Sequence, residues 1–253
     1  MRRAYCKRAR YVIEWNGEIV PREVKMKKTF YSELAYILGI ITLPLGAALL
    51  RKADFGMSMV VAPVFIISDK FDFLSPGVAA YSFQAVLLVL FCIAMRRCRV
   101  KYLLSFLTAF IYGNILNFWL WLISFGNPVI TSLAEPYLTF VRVALMILGI
   151  LFTALGVAVI MKSYIPPEVY DLIVQGVSEK YGFKVGKVKW IYDAVSLALS
   201  VALSFILFGA LCNIGIGTVI SAAVNGPLIA AISGFFGKRF CFKPRFDLPA
   251  WLQ

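Results

Sequence analysis

The chain is expected to be an all-α membrane protein, with six transmembrane helices arranged as two inverted three-helix repeats and a short interfacial or re-entrant helix in each. Three observations lead there. Hydrophobic residues make up 61% of the 253 residues, with a mean hydropathy of +0.83, against about 45–50% apolar in soluble domains. The apolar residues fall in six runs, each close to the roughly 20 residues that cross a bilayer as a helix. The sequence also resembles itself after a shift of 110 residues.

Residues 1–33 form a basic tail with nine positive charges: Arg2, Arg3, Lys7, Arg8, Arg10, Arg22, Lys25, Lys27 and Lys28. The tail is expected on the cytoplasmic side, against anionic lipid of the bilayer. Nucleic acid is not an expected partner, because the aromatic residues lie in apolar runs and are not interleaved with the charge. No secretory signal peptide is visible, since polar residues and no apolar core follow the basic start.

The six spans are predicted at 34–50, 78–95, 102–124, 138–161, 190–211 and 215–236, punctuated by Pro76-Gly77, Asn127-Pro128 and Cys212–Gly217. They divide the chain into the tail, a first transmembrane repeat at 34–124, a second at 138–236, and a C-terminal tail at 237–253. With the N-terminus in the cytoplasm, 22 of the 26 Lys and Arg fall on the inner side, while Arg51, Lys52 and Lys70 fall outside. The positive-inside rule therefore places both termini in the cytoplasm, in a cell (inner) membrane. Arg142 lies within a span, about one turn from its outer end, where it can snorkel.

Residues 57–69 and 166–180 are too short to span. In the second, Val169, Leu172, Ile173 and Val177 recur at helical spacing, and Pro166-Pro167 suits a helix start. The shift of 110 aligns Leu38/Leu148, Gly39/Gly149, Ile40/Ile150, Leu45/Leu155, Gly46/Gly156, Ala48/Ala158 and Lys52/Lys162. Further on, Ser68/Ser178, Lys70/Lys180, Phe73/Phe183, Val78/Val188, Leu87/Leu197 and Thr108/Thr218 agree without a gap. An odd number of spans per unit makes the second unit enter from the opposite side. Inverted repeats of this kind recur in secondary transporters, where two similar units exchange conformations across the membrane.

A binding site is expected where helices are interrupted near the midplane. Asn225-Gly226-Pro227 falls near the middle of the last span, and Pro227 removes a backbone donor there. Asn114 and Asn117 occupy the corresponding span of the first half. Contact with a ligand and pairing between helices are both open for these asparagines. Asp193 is the carboxylate inside a span, a functional candidate by default, with Lys189 one turn earlier as a partner. Gly215-Ile216-Gly217-Thr218 reads as a tight turn or as amides facing an anion.

Enzyme chemistry is not expected. The chain has no histidine, which excludes Ser-His-Asp triads and His metal sites, and no Walker loop or paired intramembrane carboxylates appear. Cys6, Cys92, Cys98, Cys212 and Cys241 form no C-x-x-C pair. No metal and no cofactor are expected, and Cys92 reads as a small hydrophobe.

Several strings resemble the bacterial YczE/YyaS/YitT-type membrane proteins: Lys52-Ala53-Asp54-Phe55-Gly56, then Pro166-Pro167-Glu168-Val169, Val188–Asp193, Gly215–Thr218 and Asn225-Gly226-Pro227-Leu228-Ile229. The resemblance covers about residues 33–236. It implies a polytopic inner-membrane protein, in a group whose molecular function is generally unassigned. The expected function is a permease or exporter of a small molecule or ion, with Asn114, Asn117, Asp193, Asn225, Gly226 and Pro227 at the substrate site. The alternative is a substrate-binding or assembly subunit of a larger membrane complex. A homo-oligomer or a membrane partner is compatible with either.

Overall fold

The computed structural model describes residues 11–13, 19–21, 28–96, 100–126, 137–183 and 185–243. The basic residues from Arg2 to Lys27, with Cys6, Cys98 and Asn127-Pro128, lie outside the described residues. Eight helices are described: α1 (Ser32–Ala53), α2 (Ala62–Lys70), α3 (Pro76–Met95), α4 (Val100–Ser124), α5 (Tyr137–Ile160), α6 (Val169–Tyr181), α7 (Val185–Phe208) and α8 (Ile216–Arg239). Six of them, all but α2 and α6, are long and apolar enough to cross a membrane. They match the six predicted spans to within a few residues. Helix α7 starts five residues early because Val185–Lys189 already coil.

Residues assigned to the N-terminal tail contain short strands. β1 (Tyr11–Ile13) pairs antiparallel with β2 (Ile19–Pro21), and β3 (Lys28–Tyr31) pairs parallel with β4 (Phe240–Lys243). The β3–β4 pairing joins the start of α1 to the end of α8 at one face of the bundle, called here the terminal face. An even number of long helices in succession brings both ends of the bundle to one face, where the strands can pair.

The centre of the bundle is an antiparallel crossing of α1 and α5. Glycines let the two backbones meet: a Cβ on Gly46 would lie 2.7 Å from the Gly149 carbonyl oxygen, and one on Gly39 would lie 3.0 Å from that of Gly156. Small residues at such a seam allow helices in lipid to gain van der Waals contact. Helix α4 docks on α1 through Tyr36 to Thr108 (2.9 Å) and Trp119 Nε1 to the Ile41 carbonyl (3.1 Å). Helix α3 docks on α4, where Gly77 abuts Gly113. On α7 the buried stripe is Ser196, Ser200 and Ser204, on a helix that packs against α2 and α6.

The two short helices begin inside the bundle and do not cross it. Helix α6 begins beside Gln84, near the middle of α3, and ends where Lys180 Nζ donates to the Ala94 carbonyl (3.2 Å) at the end of α3. The chain reaches that start from Tyr164, whose amide donates to Ser32 Oγ at the terminal face. Pro166 and Pro167 lie in this inbound stretch and precede the helix, whose N-cap is Glu168. Helix α2 runs the other way, ending at the far face, where Asp69 meets Arg51 at 2.6 Å. Ser68 and Ser178, equivalent under the shift of 110, each donate to a carbonyl just beyond their helix, Leu74 and Phe183.

One expectation is corrected. Helix α8 runs unbroken from Ile216 to Arg239 with Pro227 inside it, so Asn225-Gly226-Pro227 does not interrupt the span. A proline costs one hydrogen bond, and a membrane helix absorbs that locally. The interruptions are supplied by α2 and α6 instead.

Candidate functional site

A cavity of about 560 Å³ lies where α2 and α6 begin. Ser58–Val61 bring the start of α2 to it, and Glu168, Tyr170 and Asp171 bring the start of α6. Lys189, Trp190 and Asp193 come from α7, and Ser221, Asn225, Gly226 and Pro227 from α8. Thr153 and Tyr112 complete it from α5 and α4. Its size suits a drug-sized ligand. Exposed Gly186 and Trp190 mark its rim.

Glu168 is the most enclosed charged group among the described residues, 5% exposed. Its Oε2 accepts from Gln84 Nε2 at 3.0 Å, and Gln84 Oε1 in turn accepts the Val169 amide at 3.1 Å. Gln84 therefore holds the first turn of α6 to the middle of α3. Glu168 Oε1 has no hydrogen-bond partner, nor have Tyr170 Oη and Asn225 Oδ1. A buried polar atom left unsatisfied is costly, and four residues that carry one, Glu168, Tyr170, Asn225 and Asp193, line one cavity. Burial, with the Asp171 carboxylate as a second cause, raises the Glu168 carboxyl to about 8. The Gln84 hydrogen bond opposes this shift. Burial likewise pushes the Tyr170 hydroxyl well above its ordinary value, so it stays protonated.

Lys189 Nζ lies 3.7 Å from Asp193, one turn on as expected, and 3.9 Å from Asp171. Arg142 sits 3.9 Å from Asp54, away from Asp193. At the far face a polar knot joins α1, α2 and the α7–α8 loop. Arg51 bonds Asp69 (2.6 Å) and Asn213, and Asn213 Nδ2 donates to Asp69 at 2.7 Å. The Gly215–Thr218 segment is a close-packed turn: the Gly217 amide donates to the Phe55 carbonyl at 2.8 Å, so that amide faces protein.

The structure brings Asp193, Asn225, Gly226 and Pro227 together at the cavity. It does not bring Asn114 or Asn117 there. Asn114 Nδ2 donates to the Phe110 carbonyl one turn back (2.8 Å) on an exposed face. Asn117 clamps α3 to α4, accepting from the Gly77 amide (2.7 Å) and donating to Ser75 Oγ (2.9 Å). Glu168, Asp171, Tyr112 and Tyr170 were not legible as site residues. Glu168 and Asp171 precede or begin a short amphipathic helix and lie off its apolar stripe of Val169, Leu172, Ile173 and Val177. One signal was available: Pro-Pro-Glu beside an apolar run leaves a carboxylate with nowhere polar to go if the helix dips inward.

Six helices long and apolar enough to span, around a largely apolar cavity with a few polar groups, define an integral, multi-pass membrane protein. Within that class, a model of a family of unknown function, DUF6198, matches residues 30–234, and the chain belongs to that family. Comparison with curated proteins and with solved structures gave no match.

Proposed function

We propose that this protein is a permease or exporter that moves a small molecule or ion by alternating access between two inverted repeats. The cavity at the starts of two opposed re-entrant helices carries the reading. Re-entrant backbone is tolerated at membrane depth only where protein or a water-filled cavity satisfies it, and transporters use such broken helices as binding sites.

The repeat draws support from contacts that exchange under the shift of 110. Gly39 meets Gly156 as Gly46 meets Gly149. Arg142 reaches Asp54, and at the corresponding positions the Tyr164 amide reaches Ser32. Gly56 abuts Thr218, and Pro166 accepts a hydrogen bond from Thr108. Contacts related in this way across an antiparallel pair are those of a two-fold axis perpendicular to the helices. In this reading the Arg51–Asp69–Asn213 knot would hold the far face shut, and a second conformation would open it.

Reconstitution in liposomes with a broad solute panel tests the reading. Flux of at least one solute, blocked by a bulky residue at Ser221, is the expected result, and absence of flux across the panel counts against transport. The basic terminal face is proposed as cytoplasmic. The free thiol of Cys212 then reacts with an impermeant reagent only from outside the cell.

A second reading is a binding or assembly subunit. One observation favours it: beyond the cavity, Ala230 and Gly234 form an exposed stripe of small residues on α8, the helix with the smallest buried share of its apolar window, 6%. Such stripes dock helices in lipid. Co-purification of a stoichiometric membrane partner, with no flux by the chain alone, decides for this reading.

A further inference from the structure

We propose that the cavity binds a small organic cation, an ammonium carried on an apolar or aromatic body, and that the cation takes the place of a proton on Glu168. The inference deepens the transport reading of the same cavity and rests on it for its biological meaning.

Charge selects the class. Glu168, Asp171 and Asp193 line the cavity against a single lysine, Lys189, which is already shared between the two aspartates at 3.9 and 3.7 Å. The starts of α2 and α6 bring positive dipole ends to the same space, yet the carboxylates outnumber the cation. The walls add Tyr112, Tyr170 and Trp190, whose ring faces attract an ammonium, most strongly where water is excluded. A metal ion fits poorly, since the described residues hold no cluster of three metal-ligating side chains.

Glu168 supplies the anchor. It is 5% exposed and lines the cavity, and its Oε1 is buried without a hydrogen-bond partner. Gln84 from α3 holds the other oxygen, while Tyr36 of α1, Tyr112 of α4, Tyr192 of α7 and Asp171 of its own helix lie within electrostatic reach. With the carboxyl raised to about 8, the empty cavity holds it protonated at neutral pH. An entering cation favours the carboxylate. The O–H bond then breaks, the proton leaves to water, and the carboxylate pairs with the ammonium. The buried charge is unchanged by the exchange, which avoids the cost of adding a lone charge to the interior.

The test uses the full chain in detergent and isothermal titration calorimetry. The probes are benzyltrimethylammonium, which cannot lose its charge, and benzenesulfonate, similar in size and opposite in sign. Benzyltrimethylammonium should bind at least about tenfold more tightly at pH 9 than at pH 6. At pH 7 it should release protons, read from the heats in buffers of different ionisation enthalpy. Glu168→Gln should abolish both the pH dependence and the proton release, and weaken binding at pH 9 at least about tenfold. Asp193→Asn should weaken binding with proton release retained, and it carries the test if Glu168→Gln does not elute as folded protein.

Binding of benzenesulfonate as tight as that of the cation, no binding of the cation, or cation binding indifferent to both variants would overturn the proposal. Cation binding without flux of any solute in liposomes sinks the transport reading and leaves the site standing. Flux of other solutes without cation binding does the reverse.

Discussion

Helices α3 and α4 pack along one another, whereas α7 and α8, their counterparts 110 residues later, stand apart around a cavity. The residues at the contact explain the difference. In the first pair, Gly77 and Gly113 let the backbones touch and Asn117 bonds across. The same positions in the second pair hold Lys187, Ala223 and Pro227. A lysine cannot enter such a seam, and a proline offers no amide side chain to bridge it. Polarity diverges in parallel. Glu168, Asp171, Asp193 and Asn225 replace Ser58, Val61, Phe83 and Ile115. One helix pair thus packs closely, and the other borders the cavity and brings Asp193 and Asn225 to it.

The largest effect is expected at the closed seam. Gly77→Leu should cost about 3 kcal/mol or more, by overpacking against the Gly113 carbonyl. Lys187→Leu at the matching exposed position should stay within about 0.5 kcal/mol. Thermal unfolding of the purified protein reads both, and equal losses would remove the distinction between the pairs.

The next effect is on pH dependence. The folded Glu168 carboxyl sits near 8, against an ordinary value of 4.5, so the folded state binds the proton more tightly. Its contribution to stability is full below about 4.5 and is lost as pH rises towards 8. Glu168→Gln should flatten that part of the profile of Tm against pH. Ser58→Ala, the matching change in the first half, should leave the slope intact.

A smaller pair of effects separates the asparagines. Asn117→Ala breaks two interhelical hydrogen bonds and should cost about 1–2 kcal/mol. Asn225→Ala removes an unsatisfied oxygen and should be near neutral for stability, while altering ligand binding. Least of all, Lys189→Met should change stability by about 0.5 kcal/mol or less, because its contacts of 3.7 and 3.9 Å are partly exposed. Its effect should appear in binding.

Length, apolar runs and charge asymmetry were enough to find the six spans and the two short helices, because membrane crossing is a constraint on composition and local period. They also marked Asp193 and the Asn225–Pro227 turn of α8, since polar groups inside an apolar run are conspicuous. The sequence misread the proline as a break. Whether a helix unwinds at proline depends on what neighbours can satisfy the freed backbone, and that is tertiary. It likewise set Asn114 and Asn117 beside Asn225, although offset and depth are not the same as facing one cavity.

Sequence alone determined the six helices able to cross a bilayer, because hydropathy is a property of the string. Tertiary structure decided that α2 and α6 turn inward, that Glu168 ends buried against Gln84, and that only one of two matching helix pairs opens. Those outcomes depend on which small residues meet across a seam and on which oxygen is left without a donor, distances that no spacing along the chain encodes.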